Sequence, residues 1–223
     1  MTPNEESSVT LSHRLQILAT EHWSLLASRS LAWSESFNRA TMFLATLSWA
    51  VVALALVAQA SSFGRMFSIF ALVILPVVLF IGVPTFIRLG ATNYHDALCV
   101  TGMNRIRHAY LEIAPDMAQY FVMSSNDDER GVAVTMGLPP AMPFYQHMLA
   151  ATPTIVVIIN SIITGVMASI AGSLLTNQTM IVALAGVIGF LVSAALHQLA
   201  AQKSIARAIG GFQPRFPTEE NPA

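Results

Sequence analysis

Charge is what these 223 residues lack most: Lys and Arg number 11, Asp and Glu 12, and together they are 10% of the chain. Soluble domains carry roughly 25%, so there is too little charge to dress a water-facing surface. With a formal net charge of -1 and a pI near 6.6, no basic stripe is available for nucleic acid. The single cysteine, Cys99, excludes an intramolecular disulfide and a multi-cysteine metal site. Catalytic signatures are missing too. No P-loop, dinucleotide-binding glycine pattern, HExxH or GxSxG occurs, which argues against an enzyme and against a bound cofactor. Disorder is excluded from the other side, because 54% of the residues are hydrophobic and mean hydropathy is +0.60. The class that survives is a polytopic membrane protein.

The charges that exist are clustered, with long runs between them. None falls from Ala40 to Gly64, from Met66 to Ile87, or from Gly131 to Gln202. A helix needs about 20 apolar residues to cross a hydrocarbon core of ~30 Å. The first run supplies a span at 41–60 and the second a span at 66–87. The third breaks at Thr176-Asn177-Gln178-Thr179, whose polar side chains favour a turn, leaving spans at 154–175 and 180–200. The fold class expected is all-α, with four transmembrane helices as two hairpins.

Orientation follows from the basic residues. Arg14, Arg29 and Arg39 precede the first span. Arg88, Arg105, Arg107 and Arg130 lie between the hairpins, and Lys203, Arg207 and Arg215 follow the last span. Four spans put all of these on one side, against Arg65 alone on the other. That bias places both termini in the cytoplasm of a bacterial inner membrane. The first apolar run starts about 40 residues in and lacks a short basic leader, so the first span is expected to be retained as an anchor rather than cleaved.

The expected organisation is a cytoplasmic amphipathic helix over 1–40, a transmembrane hairpin over 41–90, a cytoplasmic helix and loop over 91–152, a second transmembrane hairpin over 153–200, and a partly disordered cytoplasmic tail over 201–223. Residues 8–39 contain no Pro or Gly, and Leu11, Leu15, Leu18, His22, Leu25 and Leu26 recur at helical steps. Leu98, Met103, Ile106, Tyr110 and Ile113 do the same until Pro115, with a further short helix over 116–123. The two stripes form a long cytoplasmic helical hairpin. Trp23, Trp33 and Phe37 stay on its flank, which predicts a homo-oligomer held through residues 11–37. The stretch from Ser124 to Pro143 reads as a loop, and the tail from Gly210 reads as disordered.

Inside the spans, Asn160 and Thr164 lie one turn apart and must find polar partners in lipid. His197 is the only histidine in a predicted span, so a bis-His haem site is excluded there. These three mark either interhelical glue or an intramembrane polar path. Gly165, Ser169 and Ser173 step by four, as do Gly172 with Ala168, and Ala185 with Gly189 and Ser193. Small residues so spaced let helices pack closely. No carboxylate, Lys or Arg lies within a span, which counts against an ion-coupled carrier. Pro76 and Pro84 are expected to kink or shorten the second span. Asp127, Asp128 and Glu129 read as a solvated loop, without the glycine turn of a cation site. Gly102-Met103-Asn104 matches the signature triplet of a class of magnesium channels, but in the wrong context, inside a charged helix.

Three segments carry a wider likeness: Ile17 to Leu26 (ILATEHWSLL), Val51 to Ala60 (VVALALVAQA) and Met103 to Glu112 (MNRIRHAYLE). Together they resemble a family of uncharacterised four-span integral membrane proteins of actinobacteria and other high-GC bacteria, over about Leu11 to Leu175. That resemblance implies the fold and brings no activity, substrate or site residue. More distantly, a helical stretch feeding a membrane hairpin resembles the SLATT group of bacterial membrane effectors. The function expected is a non-enzymatic oligomeric scaffold or small pore, with the lipid bilayer and further copies of itself as partners. A transporter or channel for a small solute or ion is the alternative, and a membrane-embedded enzyme comes third.

Overall fold

The computed structural model describes residues 3–138, 152–210 and 213–218. The Gly- and Pro-rich end of the expected loop, 139–143, and the tail residues 211–212 and 219–223 lie outside the described residues. The elements are helices α1 (Pro3–Ser61) and α2 (Arg65–Ile113), a 3-10 turn (Pro115–Tyr120), then α3 (Glu129–Thr135), α4 (Thr152–Leu175) and α5 (Thr179–Gly210). Among the described residues there is no strand. Helices α1, α2, α4 and α5 are each long and apolar enough to cross a membrane. The chain is an all-α polytopic membrane protein.

It divides into two compact units. The apolar unit comprises Glu35–Thr92 and Phe144–Gly210. Its core gathers Phe43 and Ala50 from α1, Ala71, Leu75, Val78, Phe86 and Leu89 from α2, and Val156 and Ile163 from α4. On α2 one buried row runs Ser68, Ala71, Leu75, Val78, Gly82, Thr85 and Leu89, in alternating steps of three and four, with Phe86 buried beside it. That is the seven-residue seam of helices packed side by side. The outer faces carry Trp49 at 75% exposure and Phe80 at 77%, surfaces that hydrocarbon solvates and water does not.

Proline does not break α2. The helix runs through Pro76 and Pro84 for 49 residues. Beside the second, the Thr85 hydroxyl donates to the Ile81 carbonyl of its own helix at 2.8 Å. The α1–α2 turn is tight: Ser62 and Phe63 both take positive φ, 49° and 56°, and the Gly64 amide donates to Ser61 O at 2.8 Å. The turn expected at Thr176 lies between α4 and α5, where the Gln178 amide donates to the Thr176 hydroxyl. Helix α5 then continues past residue 200, the expected end of its span, to Gly210. Ala206 and Ala208 with basic neighbours favour helix there, and Gly210 is its last residue.

The charged unit comprises Met1–Ser34, Asn93–Pro143 and Gly211–Ala223. Here α1 and α2 run antiparallel: Arg29 meets Asp96, Ser28 meets His95, and Leu25 lies against Gly102. Asp96 is 2% exposed, and it accepts from Arg29 and from the Trp33 indole at 2.8 Å. The seam on α2 is Asp96, Cys99, Met103 and Ile106. The expected stripe is therefore only half right, since Leu98 and Ile113 are exposed. On α1, Leu18, His22 and Leu25 are half-buried, whereas Leu11, Leu15 and Leu26 are exposed. The reason is that α2 covers one side of α1 only.

Candidate functional site

In the apolar unit the polar residues of α4 and α5 converge. The Nδ1 of His197 lies 2.8 Å from the Ser193 carbonyl. A carbonyl only accepts, so in the neutral ring Nδ1 carries the hydrogen and Nε2 accepts. Its donor is Asn160 Nδ2 at 3.3 Å. Thr164 donates to the Asn160 carbonyl at 2.8 Å, and the hydroxyls of Ser161 and Thr164 both stand 3.4 Å from that of Ser193. Phe86 closes the imidazole edge-on, with ring centroids 4.9 Å apart. Asn160, Thr164 and His197 thus belong to one cluster, joined by Ser161 and Ser193.

In this orientation Asn160 Oδ1 is buried without a hydrogen-bond partner among the described residues. It faces Gly82 of α2, 2.0 Å from where a Cβ would stand. An oxygen there sits over the Gly82 Cα–H, a weak donor at best. Gly82 is therefore the residue that lets α2 reach the cluster.

Farther along the same contact, α4 and α5 cross on small residues. A Cβ on Gly165 would meet Gly186 O at 2.8 Å, and one on Gly189 would meet Ala168 Cβ at 2.8 Å. Ser169 donates to Val182 O at 3.2 Å and lies against Gly186, and Gly172 faces Ala185. Gly165, Ser169, Gly172, Ala185, Gly189 and Ser193 all lie on this contact. Ser173 does not: it is exposed, and its hydroxyl bonds Ile170 O of its own helix at 2.7 Å. Gly186, not singled out in the sequence, is as tightly placed as Gly189. The groove beside the crossing is lined by Ile162, Val166, Val187 and Phe190, which is an apolar lining.

The charged unit holds a second constellation, at the segment read from sequence as a solvated acidic loop. Asp127 is fully buried. Its carboxylate accepts from Arg105 Nε at 2.7 Å and from the amides of Arg215 and Phe216 at 3.0 and 2.8 Å. Burial opposes its ionisation, but these donors and the Arg105 charge outweigh it, so the carboxyl titrates below the usual range. Asp128 behaves likewise: burial is again opposed, here by the Thr218 and Gly131 amides and the Thr218 hydroxyl. By accepting from Gly131 N at 2.8 Å it N-caps α3. That cap is why the expected loop contains a helix. The tail correspondingly departs from disorder over 213–218: Phe216 stacks on His108 at 3.9 Å, and its carbonyl accepts from the Asp127 amide.

Asn104 ties these parts together. It is fully buried, donates to Asn126 O at 2.7 Å, and accepts from Arg107 at 2.7 Å and Thr135 at 2.9 Å. The Gly102-Met103-Asn104 triplet is accordingly built into helix packing, with Met103 buried and Gly102 against Leu25. Among the described residues no three His, Cys, Asp or Glu side chains converge as metal ligands. Ser28, His95 and Cys99 form a short row, 3.3 and 3.6 Å apart. The carboxylate next in sequence, Asp96, is engaged by Arg29 and Trp33.

The fold and site define a four-span helical membrane protein with an interhelical polar cluster and a tail-binding charged unit. No family model, no curated protein and no solved structure matches the chain.

Proposed function

We propose that the protein is a non-enzymatic membrane scaffold that works by assembling with further copies of itself. It sits in a bacterial inner membrane with both termini in the cytoplasm, the orientation the basic residues favour. One observation carries the reading. At 100° per residue, the charged residues of α1 from Arg14 to Arg39 (Arg14, Glu21, Arg29, Glu35 and Arg39) fall within a sector of about 120°. The rest of the circumference is free of charge and includes Leu15, Trp23, Leu26 and Leu31, all exposed and Trp23 at 68%. A charge-depleted, aromatic-bearing face is what interface cores are made of.

The test is mass in nanodiscs. Native protein gives a multiple of 24.0 kDa, and Trp23→Glu with Leu26→Glu gives a single chain. A native monomer overturns the proposal. The second reading, a small pore or carrier, has the partnerless Asn160 Oδ1 on its side. Liposomes holding the native protein separate the two: selective solute or ion flux that Asn160→Leu abolishes favours the second.

A further inference from the structure

Residues 213–218 meet the charged unit as a ligand meets a receptor. Contact is made through their main chain: the amides of Arg215, Phe216 and Thr218 donate to the carboxylates of Asp127 and Asp128. The carbonyls of Phe216 and Pro217 accept from Asn126 Nδ2, and that of Phe216 also from the Asp127 amide. Two side chains add selectivity. Phe216 stacks on His108, and the Thr218 hydroxyl donates to Asp128 at 3.0 Å. Pro214 and Pro217 fix two φ angles of the segment, which bends at Arg215 and Phe216, and this lowers the entropy lost on docking.

The receiving surface is held by bonds that do not involve the tail. Asp127 pairs with Arg105, Asp128 caps α3, Asn126 N donates to Ser124 Oγ, and Asn126 O accepts from Asn104. The tail lies at the surface of the unit: Gln213, Pro214, Arg215 and Pro217 are exposed, and Phe216 and Thr218 are half-buried. These seven hydrogen bonds, four of them to carboxylates, and one stacked ring are set against about 1–2 kcal/mol of backbone entropy for each of the six ordered residues, a near balance that leaves local release within thermal reach. We propose that Arg105, His108 and Asn126 to Asp128 form a recognition site for peptides of the type aromatic-Pro-Thr, which this chain's own tail occupies as an exchangeable plug.

The experiment uses full-length protein in nanodiscs and a fluorescent synthetic peptide covering residues 211–220. Phe216→Ala weakens the plug, so this variant binds the peptide at least tenfold more tightly than the native chain does. Adding Asp127→Asn removes that binding. The same peptide phosphorylated on the threonine binds at least tenfold more weakly, because phosphate meets Asp128 at close range. Unchanged binding of the phosphopeptide, or no binding by Phe216→Ala with its helical content intact, overturns the proposal. A second readout needs no variant. In native protein the amides of Arg215 and Phe216 exchange by local opening, faster than the amides of the α2 seam; protection equal to that seam overturns the exchangeable plug.

Discussion

Replacing Gly82 with alanine adds one methyl group where α1, α2 and α4 leave it no room. The new Cβ would lie 2.0 Å from Asn160 Oδ1, 2.9 Å from Asn160 Cγ and 2.7 Å from Phe43 Cε2. Asn160 cannot simply swing aside, because it is fully buried and its amide holds His197. Restoring ordinary contact requires a shift of about 1 Å, which parts the amide from the imidazole. Overpacking costs about 1–3 kcal/mol, and an interhelical hydrogen bond in a membrane protein is worth about 0.6–1.7 kcal/mol. The expected loss is roughly 2–4 kcal/mol. Reversible unfolding in mixed micelles measures it, within a double-mutant cycle. In an Asn160→Ala background two of the three clashes vanish and only the Phe43 contact remains, so the cost of Gly82→Ala falls to about half. A cost below about 0.5 kcal/mol, or the same cost in both backgrounds, refutes the contact between Gly82 and Asn160.

Three further outcomes follow from the geometry. Asn104→Leu strands Asn126 O, Arg107 and the Thr135 hydroxyl, and should cost about 2–4 kcal/mol in thermal unfolding and expose α3 to exchange; a loss under about 1 kcal/mol contradicts its bridging role. Because Asp127 and Asp128 titrate low when folded, their stabilisation is complete above the unfolded carboxyl value of about 3.9. It is lost as pH falls through the lower folded values, so tail-amide protection should hold at pH 5 to 7 and collapse only below about 4; loss already near pH 6 would point to another group. Ser62→Gly should stabilise by about 0.5–1 kcal/mol, the relief of a left-handed serine less the glycine's greater chain entropy. Melting at or below the native temperature would show that the turn carries no such strain.

The four spans were legible because a bilayer leaves a coarse signature: charge disappears for some twenty residues at a time. Small residues at four-residue spacing similarly marked the α4–α5 contact, and Asn160, Thr164 and His197 stood out as polar groups needing partners. The seam of α2 was not legible. Between Met66 and Ile87 nearly every position is apolar, so the inward row Ala71, Leu75, Val78 and Gly82 has no polar contrast to set it off. In the charged unit the seam includes Asp96, a residue type rarely fully buried unless paired, and its pairing with Arg29 and Trp33 spans 67 and 63 positions of sequence.

By itself the sequence determined that this chain dissolves in lipid and how many of its helices are long and apolar enough to cross. Those properties depend on summed hydropathy and charge along contiguous stretches, which any order of packing preserves. Only the tertiary structure decided which nitrogen of His197 faces Asn160, why Gly82 must lack a side chain, and that Asp127 is an anchor for a tail some ninety residues downstream. Each of these depends on the direction of one hydrogen bond or on an ångström of space between helices, and such information exists only once distant segments meet.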